Sequence, residues 1–175
     1  MNGQPLTADH GAPVRLVVPG WYGCACIKWV NAITLVAEDA AATPQMQEYA
    51  SRTMQTGVPL LARDYQPASI DASAMPVRVE KWSAAGKIRY RIVGIQWGVS
   101  HPVDRLEIQF NSEEAYVPVT KFEAGPNDTW NFWSHTWAPQ KAGRYSIRLR
   151  LKGSNIVTRR LDSGYYARSV EITEV

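Results

Sequence analysis

Cysteine is almost missing from this chain: only Cys24 and Cys26 occur, and a C-x-C spacing is too tight for the usual strand-to-strand staple. A disulfide-built scaffold is thereby excluded, and the pair carries no information about redox compartment. Long apolar runs are lacking too. None approaches the length that spans a bilayer, and residues 1–13 lack the basic-then-apolar pattern of an export signal. No membrane span is expected. Export itself stays open, since a bacterial full-length chain with a signal peptide would be periplasmic. Charge of one sign is also scarce: the formal net charge is +3 and the Lys and Arg residues are scattered. A nucleic-acid partner is not expected, although a local anion site is allowed.

What is present suits a folded protein. Hydrophobic residues make up 45% and charged residues 20% of the 175, a balance that buries a core. The length allows one domain, or one small domain plus a piece of another, and is short for a complete cofactor enzyme. From Val77 onward apolar residues alternate with polar ones. Ile88, Tyr90 and Ile92 alternate with Arg89 and Arg91; Leu106, Ile108 and Phe110 with Glu107 and Gln109; Tyr145, Ile147, Leu149 and Leu151 with Ser146, Arg148 and Arg150. Period two means strands with one buried face. Breaks at Ser100-His101-Pro102, Gly125-Pro126-Asn127-Asp128, Gly143 and Gly153-Ser154-Asn155 leave room for about seven strands, the spacing of a β-sandwich. Most of Trp97, Trp130, Trp133 and Trp137 are expected to pack in its core or rim.

The first seventy residues or so have another texture. Arg15 to Val18 predicts a short strand, Pro19 to Gly23 a tight turn, and Ile27 to Val36 a further extended segment. A polar, Ala-rich connection from Glu38 to Met46 leads into Gln47 to Thr56, a helical turn or ordered loop. Pro59, Pro67 and Pro76 then punctuate a linker. The boundary is placed near residue 74, giving segments 1–74 and 75–175. The first cannot close a core alone, which suggests that the chain begins inside a domain.

The run Asn2-Gly3-Gln4-Pro5-Leu6 through His10-Gly11-Ala12-Pro13-Val14-Arg15-Leu16-Val17-Val18-Pro19-Gly20, with Gly23 and Ile27-Lys28-Trp29, resembles the end of the cofactor domain of sulfite oxidases and plant nitrate reductases. The pattern N-G-x-P-L-x-x-x-H-G-x-P-x-R-L-x-V-P-G followed by I-K-W is long and specific. A weaker resemblance continues to the C-terminus. It implies a mainly β fold class: an immunoglobulin-like β-sandwich, the family's dimerisation domain, preceded by a partial segment of the α+β sulfite-oxidase cofactor domain. It also implies a molybdenum-molybdopterin cofactor. A pyranopterin carries a phosphate and a polar ring, so its pocket needs cationic forks, neutral donors and backbone amides brought close by glycine. By resemblance His10, Arg15, Cys26, Ile27 and Lys28 are the cofactor-binding candidates. Taken without the resemblance, His10 is a turn histidine and Arg15 a solvated strand residue.

Two further residues are candidates for substrate. Tyr49 lies where the resembling enzymes place a tyrosine pointing into the active site; the plain alternative is packing at a domain junction. Near the C-terminus Arg159 and Arg168 repeat the spacing of a family Arg pair, with Tyr166 as the accompanying aromatic. The first Arg of that pattern binds the oxyanion, which makes Arg159 the substrate-binding candidate. Arg160 stands where the family has Gly, so the two arginines could exchange roles. The plain alternative is a basic strand end paired with Asp162.

Two departures bear on function. The family's molybdenum-ligating cysteine is expected upstream of the N-G-x-P-L motif; Cys24 and Cys26 lie in the pterin-side loop, and no metal ligand is assigned. Within the sandwich Asn111-Ser112-Glu113-Glu114-Ala115-Tyr116 replaces the usual D-G-x-x-W hairpin. The expectation is the C-terminal portion of a molybdopterin-dependent oxidoreductase moving an oxygen atom to or from a small anion such as sulfite, inactive on its own. The partners implied are a second copy through the sandwich, the upstream half of the cofactor domain, and a cytochrome or heme electron acceptor. The competing reading is a non-catalytic immunoglobulin-like association module.

Overall fold

Alternation of apolar and polar residues over Lys87–Trp97 forms the central strand β2 of a four-stranded antiparallel sheet in the computed structural model, which describes residues 3–51, 55–66, 68–98, 101, 103–123 and 129–175. Strand order is β1-β2-β6-β5, with β1 Ser73–Ala84, β5 Lys121–Phe122 and β6 Asn131–Trp137. A second sheet runs β4-β3-β7-β8, with β3 Arg105–Gln109, β4 Val117–Pro118, β7 Gly143–Lys152 and β8 Arg168–Ile172. The two sheets close on one core. Ala74, Ile92 and Trp133 from the first sheet meet Leu106, Ile108, Ile147, Leu149 and Leu151 from the second, with Leu161 of the short helix α2 (Arg159–Asp162). These strands are the residues whose periodicity predicts a β-sandwich, and a β-sandwich is what they form.

The chain groups into two compact units, Met1–Ile70 and Asp71–Val175. Sandwich residues thus begin slightly ahead of Val77, because Ala72 and Ala74 are already core. Pro76 sits in β1, an edge strand, next to an irregularity where the register shifts between Pro76 and Arg78, the kind of place where a strand tolerates proline. Gly143 opens β7 instead of breaking a strand. Of the expected turns, Gly153-Ser154-Asn155 is one, with Asn155 in the left-handed region at φ 60°. Ser100, Pro102 and Gly125 to Asp128 lie outside the described residues.

Three of the four tryptophans pack as expected. Trp133 is buried and donates from Nε1 to the Ile95 carbonyl at 3.1 Å. Trp137 stacks on Phe110 with centroids 4.1 Å apart, and Trp97 meets Tyr166 edge-on at 5.1 Å. Trp130 is exposed. On the second sheet Glu107 is buried, accepts from Arg150 Nε and Nη2 at 2.8 and 2.6 Å, and has Arg105 Nε at 3.2 Å. Arg150 in turn lies 4.2 Å over the Tyr116 ring, and Gln109 Nε2 donates to the Glu114 carbonyl at 2.7 Å. The variant hairpin Asn111 to Tyr116 is therefore tied down by an aromatic at its last position.

The first unit holds few regular elements. Thr43 caps helix α1 (Pro44–Tyr49), its hydroxyl accepting from Met46 N at 3.3 Å, with Pro44 in the first turn. That start lies ahead of the expected Gln47 because cap and proline precede it; Arg52 to Met54 lie outside the described residues, as does Pro67. Arg15 to Val18 is extended without a ladder, held by Leu16 N donating to Ile27 O at 2.8 Å and Val30 N to Val14 O at 3.0 Å. Beyond Val30 the extended segment is exposed: Ile33 is 79% and Leu35 96% accessible. Among the described residues no helix is long and apolar enough to cross a membrane.

Two outcomes test the sandwich. A Cβ on Gly94 would lie 2.2 Å from Trp133 Cζ2 and 2.3 Å from the Met75 carbonyl, so Gly94→Ala should overpack the core. The expected loss is about 1–3 kcal/mol or more, read as a lower urea midpoint by tryptophan fluorescence. His135 is half-buried and its pKa is pushed down from the ordinary 6.5 by desolvation. The folded state thus holds it neutral, and its contribution to stability is full above pH 6.5 and fades as pH falls through the depressed folded value. His135→Gln should flatten the acid limb of a stability-versus-pH curve, and an unchanged limb would count against this account.

Candidate functional site

The polar turn Thr7-Ala8-Asp9-His10-Gly11 folds as a 3-10 turn, Ala8–His10, because Thr7 O accepts from both His10 N and Ala12 N and Gly11 N closes on Ala8 O. Gly11 has φ 100°, a conformation that L side chains rarely adopt. Space demands glycine as well: a Cβ there would meet Lys28 Cβ at 2.9 Å and Lys28 Cα at 3.0 Å. Close approach of the turn to the Ile27-Lys28-Trp29 segment is thus built into the motif.

Side chains then lock the approach. Lys28 Nζ donates to the Asp9 carbonyl at 2.6 Å, and Trp29 Nε1 to the Ala8 carbonyl at 2.9 Å. Arg15 reaches both sides of the gap: Nη1 donates to His10 O and Nη2 to Cys26 O, each at 3.2 Å. Its Nε is buried without a hydrogen-bond partner among the described residues. His10 is exposed, with Nδ1 2.6 Å from Thr7 Oγ1, which leaves Nε2 as the ring nitrogen that Thr7 does not engage. Cys26 Sγ accepts from Val18 N at 3.5 Å, while Ile27 is exposed. His10, Arg15, Cys26, Ile27 and Lys28 are therefore one cluster, although the guanidinium spends two nitrogens on carbonyls.

Tyr49 ends α1 and is half-buried. The same helix is pinned to the cluster's loop, since Gln45 Nε2 donates to the Cys24 carbonyl. A tyrosine that the sequence motif does not mark lies near Cys24. Tyr65 follows the 3-10 turn Ala62–Asp64, and its pKa is raised above 10.0 first by desolvation and then by the charge of Cys24. Its signal was weak: a lone tyrosine in an R-D-Y run carries no spacing. The two cysteines are free. Among the described residues no three His, Cys, Asp or Glu side chains gather as a metal site.

In the second unit Arg159 opens α2 and pairs with Asp71, not with Asp162. Its Nε donates to Asp71 Oδ2 at 3.0 Å and its Nη2 to Oδ1 at 2.6 Å. Asp162 instead accepts from the Thr158 hydroxyl at 2.7 Å. Arg160 lies over the Tyr165 ring at 5.1 Å. Arg168 begins β8, with Nη2 3.1 Å from Met75 Sδ.

The first unit's donor set fits a pyranopterin. It offers a lysine ammonium, an exposed imidazole and a guanidinium with one buried nitrogen unclaimed, on a loop that glycine keeps close to the backbone.

Comparison with known proteins agrees with that chemistry. Residues 1–44 match the model of an oxidoreductase molybdopterin binding domain. Human mitochondrial sulfite oxidase is 25% identical over 185 residues, covering 94% of this chain and 30% of that protein. The rat enzyme is 45% identical over 49 residues (28% of this chain, 9% of that protein), and a Fusarium oxysporum nitrate reductase 55% over 38 (22% and 4%). The chain thus spans under a third of the length of these relatives. Among solved structures, the sulfane dehydrogenase SoxCD of Paracoccus pantotrophus superposes with a TM-score of 0.50 at 16% identity, covering 87% of this chain and 38% of that one, a likeness of fold. Motif, family model and relatives agree in one likeness: residues 1–44 match a molybdopterin binding domain, and over most of its length the chain is similar to sulfite oxidases.

Proposed function

We propose that this chain supplies the pterin-facing edge and an anion-binding arginine of a molybdopterin-dependent oxidoreductase that moves an oxygen atom to or from a small anion such as sulfite. The observation that carries the reading is the cluster His10, Arg15 and Lys28, drawn together around the Gly11 turn. Residues 1–70 belong to the cofactor domain in this reading, and 71–175 to an immunoglobulin-like dimerisation domain.

Each residue has a task. Lys28 and His10 meet the anionic and polar groups of the pterin; Arg15 holds the His10 carbonyl and the Cys26 carbonyl in register, so that Cys26, Ile27 and Lys28 present one continuous edge. The unclaimed Arg15 Nε is one more donor for that edge. Tyr49 offers a hydroxyl, and Arg159 a guanidinium, to the substrate anion. Molybdenum, when bound, supplies the two-electron redox centre, and the protein supplies pocket shape and charge. The cysteine that ligates molybdenum is expected outside this chain.

Further polypeptide belongs to the working enzyme. Ile33, Leu35 and Val36 are exposed at 79%, 96% and 66% on an extended segment, a surface that a cofactor domain covers. A second copy through the sandwich and a cytochrome or heme acceptor complete the set of partners.

The native polypeptide carrying this sequence, purified from a host that makes molybdopterin, should contain about one molybdenum and one pterin per chain. Neither above background would overturn the proposal. Arg15→Gln should lower pterin occupancy about ten-fold, the scale of lost charge-assisted hydrogen bonds. For the covered surface, Ile33→Lys combined with Leu35→Lys in the 175-residue chain should leave the unfolding midpoint in place and reduce aggregation and apolar-dye binding. Unchanged dye binding would count against a surface that awaits cover.

A further inference from the structure

The outward face of the first sheet is half apolar. In an antiparallel sandwich the side chains that alternate with the core are ordinarily polar. Here Val93 and Ile95 of β2 alternate with the buried Ile92, Gly94 and Gln96, and Ile95 stands opposite Phe132 of β6. Phe132 is 72% exposed and Val77 of β1 57%. Two cavities open on this face, of about 350 and 240 Å³, and Arg78, Val93 and Phe132 line both, so they form one groove. Its apolar end is Val77, Ile95 and Phe132. An exposed apolar patch rimmed by charge marks a surface that meets another molecule.

The other end is cationic. Arg78 stands opposite Val93, Val93 opposite Ser134, and Ser134 opposite Lys121, so one row across all four strands has a cation at each edge. Arg91 joins them in the wall of the larger cavity, and Arg89 and Lys87 continue the alternation of β2 toward its hairpin. Against these cations the face sets Glu80, opposite Arg91, and Glu123 at the cavity rim. Glu80 is shared by Arg78 and Arg91, at 2.6 and 2.5 Å. Lys87, Arg89 and Lys121 make no ion pair among the described residues, so the balance of the face is positive. We propose that this groove is the docking site of an acidic protein segment, whose large apolar side chain enters the Val77–Ile95–Phe132 end while its carboxylates meet Lys121, Arg89 and Arg91.

Charge decides the occupant. A second copy laid on this face would bring one cationic surface against another, which costs affinity. A phosphate backbone would meet Glu80 and Glu123, and the aliphatic floor of Val77, Val93 and Ile95 offers no platform for stacked bases. An acidic segment with an apolar anchor matches both ends at once, a desolvated centre within a charged rim, as protein interfaces are built. The groove lies wholly in the second unit, and the proposal does not rest on the reading of the cofactor edge.

The probe is a short dye-labelled peptide in which glutamates flank one central phenylalanine, titrated with the native polypeptide carrying this sequence and followed by fluorescence anisotropy. Saturable binding is expected at low salt, weakened about ten-fold between about 0.05 and 0.3 M NaCl because exposed charges are screened. Arg89→Glu combined with Lys121→Glu should weaken it about ten-fold, and Phe132→Ser by a similar factor. Arg144→Glu, the same reversal on an exposed arginine of β7, should leave it unchanged. Urea midpoints show which variants keep the fold; where the double variant loses it, Lys121→Glu alone carries the charge test, with a loss of about three-fold expected. Absence of saturable binding at low salt overturns the proposal, as does wild-type affinity in the Phe132 and Lys121 variants. Equal affinity for a peptide with serine in place of its phenylalanine reduces the face to an ion exchanger and overturns it too. So does full displacement of the peptide by an oligodeoxynucleotide of equal charge, which would make the site one for nucleic acid. A lower oligomeric state of Phe132→Ser in light scattering would assign the face to a second copy, and that also overturns the proposal.

Discussion

The Arg15 guanidinium donates to two carbonyls, those of His10 and Cys26, on either side of the gap between the Gly11 turn and the Lys28 segment, and the candidate site depends on that bridge. Glycine at position 11 lets the two backbones approach; the arginine keeps them there. Without the arginine, His10 and Lys28, eighteen residues apart in sequence, are held on a common edge by the Lys28–Asp9 and Trp29–Ala8 hydrogen bonds and lose the link that runs through Cys26. An arginine in a cofactor motif is readily taken as a charge aimed at the ligand. Here its geometry shows a structural duty first, with one buried nitrogen remaining for anything else.

Much of the sandwich was legible because a strand with one buried face repeats every two residues. β2, β3 and β7 announce themselves by their alternating Ile, Leu, Tyr and Phe. β4 and β5 do not: two residues hold no period. The exposed half of β1 is equally silent, since from Lys81 to Ala84 neither face is buried. Nor could periodicity reveal that Gly94 lies under the Trp133 indole, because that contact joins β2 to β6 across a register set by the whole sheet.

The candidate site was legible in a different way. A long motif identified His10, Arg15 and Lys28 as neighbours, but not what they donate to, since their acceptors are backbone carbonyls that any residue carries. Arg159 shows the same limit in a sharper form. Its nearest acidic neighbours in sequence pointed to Asp162, three residues on, while the partner is Asp71 at the entrance of the sandwich. Local spacing favours the near carboxylate only until a hydroxyl satisfies it, and Thr158 does so.

Charge in the second unit follows one rule: where a carboxylate is buried, arginine goes with it. Glu107 has Arg150 and Arg105; Asp71 has Arg159. Desolvation makes an unpaired buried carboxylate costly, so such pairs are retained once formed, whatever their net contribution to stability. The two pairs differ in what lies beyond the guanidinium. Arg150 is covered by the Tyr116 ring, which closes the cluster and ties the variant hairpin to the sheet. Arg159 keeps 41% of its side chain exposed. The first pair therefore ends in packing, whereas the second keeps its cation partly exposed.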